Sequence, residues 1–168
     1  MTPLPAPFGH GPLMAWRLDQ AIFAPAWDSG EGAYRLGGRW NSRGVRAVYC
    51  SIDPSTAILE VAVHKGFRAL DTVAHVLTAI TIATPASAHV VERRDVPDAN
   101  WLRPGVPSQD QQRWGDALLA GHSFVLLPSV VSINSWNLIF AGTRFGADYA
   151  AVQEPFALDP RLHPSTAG

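Results

Sequence analysis

Apolar and polar positions along this chain follow two different periods, and the changes of period mark its elements. Residues 14–18, MAWRL, read as a first short strand, and residues 47–51, AVYCS, as a β-branched and aromatic second one. The period then lengthens. Asp53 is a good N-cap, Pro54 suits a first helical position and Gly66 can close the C-terminus, while Ala57, Ile58, Val61 and Ala62 recur at helical spacing. Alternation returns at residues 74–82, AHVLTAITI, with a further short strand expected over His89 to Glu92. Ser108 then caps a helix ending at Gly121. Phe124 to Leu127 reads as a buried strand stopped by Pro128, and Ser135 to Phe140 as another strand. Ala150 to Val152 and Phe156 to Leu158 are expected to supply two last pairings. Strands outnumber helices in a mixed order, which predicts an α+β fold. The length of 168 residues suits one domain.

Three stretches show no period. Residues 1–13, with four prolines, read as an irregular arm, and residues 161–168 as a tail, leaving 14–160 as the domain. Residues 28–46, DSGEGAYRLGGRWNSRGVR, hold five glycines. A structureless connection of that length is uncommon and tends to be functional.

Composition narrows the function classes. Hydrophobic residues make up 47% of the chain, enough for a sizeable core, and charged residues only 16%. A surface poor in charge suits one that a partner partly covers. The formal net charge of −1 gives no bulk attraction to nucleic acid or membrane. Lys65 is the only lysine, and Cys50, the only cysteine, leaves no internal disulfide. The opening MTPLPAPFGHGPLMAW lacks the layout of a signal peptide, and no run approaches the roughly 18 apolar residues of a membrane span. The cytoplasm is the expected location. There is no CxxC, HExxH, GxGxxG, Walker A or GxSxG motif, so no metal site, dinucleotide fingerprint or hydrolase elbow is expected.

Three segments remain as candidate chemistry. In Gly37 to Asn41, GGRWN, two glycines permit a tight turn and close backbone approach to a ligand. Arg39 can then meet a phosphate with its donor fork; the commoner alternative is a surface turn with the arginine packed on Trp40. In the helix after Asp53, Glu60 stands among aliphatic residues, on a face shared with Thr56 and either Val63 or His64. It lies either on a solvated stripe or in a cleft. Tyr49 before it suits a core aromatic with its hydroxyl at the edge. In LLPSVVSINSWNLIF, Ser129 either offers its hydroxyl to a cleft or bonds its own backbone in a turn.

None of these segments is specific alone. In order, GGRWN…VYCS…AILEVAVH…LLPSVV…NSWNLIF resembles the RES domain, a family named for arginine, glutamate and serine, here Arg39, Glu60 and Ser129. The resemblance runs from Trp16-Arg17 to about Leu158. One departure follows Asn137, where the family often has Asn-Pro and this chain reads Leu-Ile-Phe-Ala-Gly.

The resemblance implies a compact fold like that of ADP-ribosyltransferases and a toxin paired with an Xre-like antitoxin. It implies NAD as substrate, cleaved at the nicotinamide–ribose bond. Carried over to matching positions, Glu60, Arg39 and Tyr49 are the expected catalytic residues, and Arg39, Tyr49, Ser129, Arg17 and Asn137 the NAD-binding ones. The ADP-ribose acceptor is water, phosphate or a protein. The lack of any recognisable protein-recognition loop favours the small acceptors, with Arg43 and Arg46 as candidate phosphate holders or plain loop charges. A mono-ADP-ribosyltransferase acting on an intracellular protein is the first alternative, a nucleic-acid-targeting toxin the second, and a non-catalytic interaction domain the third. A homodimer within a toxin–antitoxin complex is a further possible assembly.

Overall fold

The computed structural model describes residues 12–84, 87–142 and 148–162. The expected arm and tail therefore fall largely outside the described residues. Seven strands form one mixed sheet: β1 (Leu13–Gln20), β2 (Ala47–Ser51), β3 (His75–Ile82), β4 (Ala88–Val90), β5 (Phe124–Pro128), β6 (Trp136–Ala141) and β7 (Tyr149–Phe156). Their order is β4-β5-β6-β2-β1-β3-β7, and only β4 and β5 run parallel. Four helices accompany them: α1 (Glu31–Leu36), α2 (Pro54–Lys65), α3 (Phe67–Thr72) and α4 (Gln109–Gly121). The fold is α+β, as the mixed order of elements predicts.

The sheet is joined unevenly. β1 matches β3 along eight residues and β2 matches β6 along five, but β1 and β2 share the single register pair Trp16↔Ser51. Beyond that pair Arg17 spans the gap, donating to the Tyr49 carbonyl at 2.9 Å and to Asp19 at 2.7 Å. The sheet is thus two half-sheets meeting at a seam. Under one face a continuous core crosses the seam, with Leu13, Ala15, Ile80 and Ile82 from one half and Val48, Cys50, Leu126, Leu138 and Phe140 from the other. Burial pushes the Cys50 thiol up to about 12, so it stays protonated and inert.

The opposite face carries the helices. Because strand side chains alternate between faces, Trp16 and Leu18 share the side of Ser51 and Tyr49. Leu18 and Leu77 pack there with Ile58, Val61 and Ala62 of α2 and with Leu70 of α3. Val125, Leu127 and Ile139 pack with Leu118 and Leu119 of α4, and with Trp40. β5 is buried on both faces, which explains its unbroken apolar run.

Four expectations need correction. Residues 28–46 are not structureless: they contain α1, a six-residue helix after Gly30 with no buried residue and hence no apolar period to read. α3 was not anticipated, since Gly66, at φ 77°, ends α2 and redirects the chain straight into it. The short strand expected at 89–92 forms over Ala88–Val90. The two last pairings are one continuous strand, β7, an edge strand whose exposed face and Pro155 break the alternation.

Candidate active site

α2 follows β2 after one bend, and its N-terminus is fixed in two directions. The Asp53 carboxylate accepts from the Thr56 backbone N–H at 2.7 Å and the Thr56 hydroxyl at 2.7 Å. It also accepts from the Ser135 hydroxyl at 2.5 Å, which ties the helix start to the loop before β6. Burial alone would raise the Asp53 carboxyl, but the bonds from Ser135 and Thr56 outweigh it and hold the group below its ordinary 3.8. A depressed carboxylate contributes stability that is fully present above the ordinary value and lost as pH falls through the folded one. Asp53→Ala is therefore expected to cost about 1–2 kcal/mol near neutral pH. The gap to the parent protein should narrow at about pH 3. Thermal melts at both pH values check this; an equal gap at both would show that the carboxylate charge plays no part.

Two turns along α2, Glu60 leans over the sheet. Its Oε1 accepts from Asn137 Nδ2 at 2.7 Å and from the Ser129 hydroxyl at 3.1 Å. Asn137 Oδ1 in turn accepts from the Ser51 hydroxyl at 3.0 Å. Ser129 is fully buried and makes the turn bond that the second sequence reading expects: its oxygen accepts from the Ser132 backbone N–H at 3.0 Å, while its proton goes to Glu60 rather than into an open cleft. Of the face partners expected from spacing, Thr56 is buried at the cap, and Val63 and His64 are exposed.

The glycine-rich segment packs around the neighbouring Tyr49. Gly37 has φ 74°, and Gly38 and Asn41 pair across a tight turn. A Cβ on Gly38 would lie 2.6 Å from both the Tyr49 hydroxyl and Asn41 Oδ1, so the turn needs glycine there. Tyr49 is locked by that turn: its hydroxyl accepts from the Trp40 backbone N–H at 3.0 Å and donates to Asn41 Oδ1 at 2.7 Å. Burial, the largest influence, pushes the phenol well above its ordinary value. Asn41, wholly buried, also donates to the carbonyls of Ala33, Ser42 and Val45. Sequence reasoning passed over it, although it closes the GGRWN motif; its three carbonyl partners are scattered through the loop and leave no spacing to read.

Arg39 leaves this turn half-buried. Its guanidinium donates to the carbonyls of Trp101 and Arg103 at 3.1 Å each and of Gly105 at 3.2 Å. Burial lowers its pKa, while the nearby Glu60 and Tyr49 act to raise it. Arg39, Tyr49 and Glu60 are thus within electrostatic reach of one another. Trp40 is not beneath the arginine; it is buried against Trp114, ring centroids 5.6 Å apart. Arg17 joins Tyr49 through the main chain, as described for the seam. Arg46 is bonded to Glu31 at 2.5 Å and to the Ser29 carbonyl, and stacks over Tyr34, whereas Arg43 is exposed.

The RES domain family matches the chain over residues 14–159. The chain belongs to the RES domain family. Two curated relatives carry the name Toxin Res. The protein from Pseudomonas putida is 30% identical over 155 residues, covering 89% of this chain and 99% of that protein. The one from Photorhabdus laumondii subsp. laumondii is 41% identical over 54 residues, 32% of this chain and 35% of that protein. The fold is shared with a chain in the crystal structure of the M. tuberculosis MbcT–MbcA toxin–antitoxin complex. There the TM-score is 0.61 at 20% identity, over 90% of this chain and 86% of the other. Of the three residues expected to matter most, Glu60 and Ser129 are in direct contact and Arg39 lies close enough to Glu60 to feel its charge. Among the described residues, no helix is long and apolar enough to cross a membrane.

Proposed function

We propose that this RES domain is the toxin of a toxin–antitoxin pair and consumes NAD by breaking its nicotinamide–ribose bond. One observation carries the reading: Glu60 is held by two donors on Oε1, while Oε2 takes no hydrogen bond among the described residues. A fixed carboxylate with one free oxygen suits a cation that develops during reaction. When the N-glycosidic bond breaks, its electron pair leaves with nicotinamide and C1′ of the ribose becomes electron-poor. Glu60 stabilises that state more than the ground state, which is what lowers the barrier. An oxygen of water or phosphate then bonds to C1′, water giving up one proton to the solvent, and yields ADP-ribose or its phosphorylated form. Tyr49 shapes the pocket with its ring, because its hydroxyl is already committed at both ends. Ser129 and Asn137 hold the carboxylate, and Arg39 meets the pyrophosphate. The names of the P. putida and Photorhabdus relatives, and the assembly that holds the M. tuberculosis neighbour, support a toxin with an antitoxin partner.

The test is incubation of purified protein with NAD, with and without phosphate, and identification of products by mass spectrometry. Nicotinamide with free or phosphorylated ADP-ribose is expected. An unchanged NAD pool would overturn the proposal, and ADP-ribose on a single protein of a lysate would replace it with protein transfer.

Arg39 gives a second check. To bind pyrophosphate its donors must exchange neutral carbonyls for anionic phosphate oxygens, which bind a guanidinium more strongly. Arg39→Ala should raise KM for NAD by roughly tenfold or more with a smaller effect on kcat, and Arg39→Lys should keep part of the affinity. An unaltered KM with a lowered melting temperature would leave Arg39 as an anchor of residues 101–105 only.

A further inference from the structure

Ser51 has no place in the chemistry above, yet it stands at the start of a side-chain relay that reaches Glu60. It is the last residue of β2, 2% exposed, and its hydroxyl donates to Asn137 Oδ1 on the neighbouring strand β6, its register partner. Asn137 passes the relay on by donating Nδ2 to Glu60 Oε1 at 2.7 Å.

The order of donors matters. An asparagine amide has one face that accepts and one that donates, and the two are nearly equal in shape. Turned over, Asn137 would present its oxygen to the Glu60 carboxylate, two acceptors in contact, and its NH2 to the hydroxyl. The Glu60 carboxylate, which only accepts, selects the orientation in which Nδ2 faces it, and the Ser51 hydroxyl completes the other end of the amide. We infer that Ser51 is a positioning residue: by bonding Asn137 Oδ1 it fixes in place the amide whose Nδ2 meets Glu60 Oε1, and so holds the carboxylate in its reactive pose.

The inference rests on the proposed function for its kinetic arm but not for its structural one. Ser51→Ala should lower kcat for NAD consumption by roughly tenfold, the scale of one lost hydrogen bond, with KM changed less than about twofold. Ser51→Thr, which keeps the hydroxyl, should recover most of the rate. In an Asn137→Ala background, Ser51→Ala should add little, because the relay is already cut. Separately, the side-chain NH2 resonances of Asn137, assigned by their loss in Asn137→Ala, should shift when their carboxylate partner is replaced in Glu60→Gln. In Ser51→Ala that shift should shrink or the pair should broaden.

Outcomes divide cleanly. A parent protein that leaves NAD intact sinks the proposed function, and the NH2 resonances then decide this inference alone. Unchanged NH2 resonances in Ser51→Ala overturn it. So does a kcat equal to the parent's, or a full-sized further loss in the Asn137→Ala background.

Discussion

Glu60→Gln is expected to lower NAD turnover by at least about a hundredfold, the scale of one preorganised electrostatic group, while leaving the fold intact. The glutamine oxygen can still accept from Asn137 and Ser129, so the two bonds that hold the side chain survive. What disappears is the negative charge that the proposed reaction sets beside the ribose. If that charge acts on a cation formed only in the transition state, the loss falls on kcat far more than on KM. Initial rates of nicotinamide release, beside circular dichroism of the variant, provide the measurement. A folded Glu60→Gln protein within about threefold of parent turnover would remove Glu60 from the chemistry.

The largest stability effect is expected at Gly115, in the middle of α4. A Cβ there would lie 2.1 Å from the Trp40 carbonyl oxygen and 2.6 Å from its carbon. Neither neighbour can yield cheaply. Trp40 is 1% exposed, packed on Trp114 and hydrogen-bonded to Tyr49 through its N–H. Glycine usually weakens a helix interior, so this one is retained for the close approach. Gly115→Ala should cost about 3 kcal/mol through overpacking, roughly 6–12 °C in melting temperature for a domain of this size. Gly121→Ala, at the end of the same helix with open space around it, serves as the control and should be nearly neutral. A Gly115→Ala melt within about 2 °C of the parent would mean that α4 and the Trp40 turn separate more readily than their packing implies.

How much of this was legible in the sequence depends on whether a feature is local. α2 could be read to the residue because Asp53, Pro54 and Gly66 signal its ends by their own chemistry. Gly37 and Gly38 announced a turn for the same reason. Whether Glu60 met solvent or a cleft was not readable, because the answer lies in Ser129 and Asn137, 69 and 77 residues away. Ser51 was visible only as the close of a strand, since its partner is 86 positions on. Arg39 suggested a donor fork, but its carbonyl partners come from a segment with no pattern pointing back to it. β7 was split in two by Glu154 and Pro155, which an exposed edge tolerates and a central strand would not.

Across the seam between β1 and β2 the two half-sheets are joined by the Trp16↔Ser51 pair, the Arg17 bond to the Tyr49 carbonyl and the apolar core beneath. α2 packs on the β1–β3 half, yet Glu60 reaches over to Ser129 and Asn137, which belong to the other half. Those two bonds are therefore fasteners as well as chemistry.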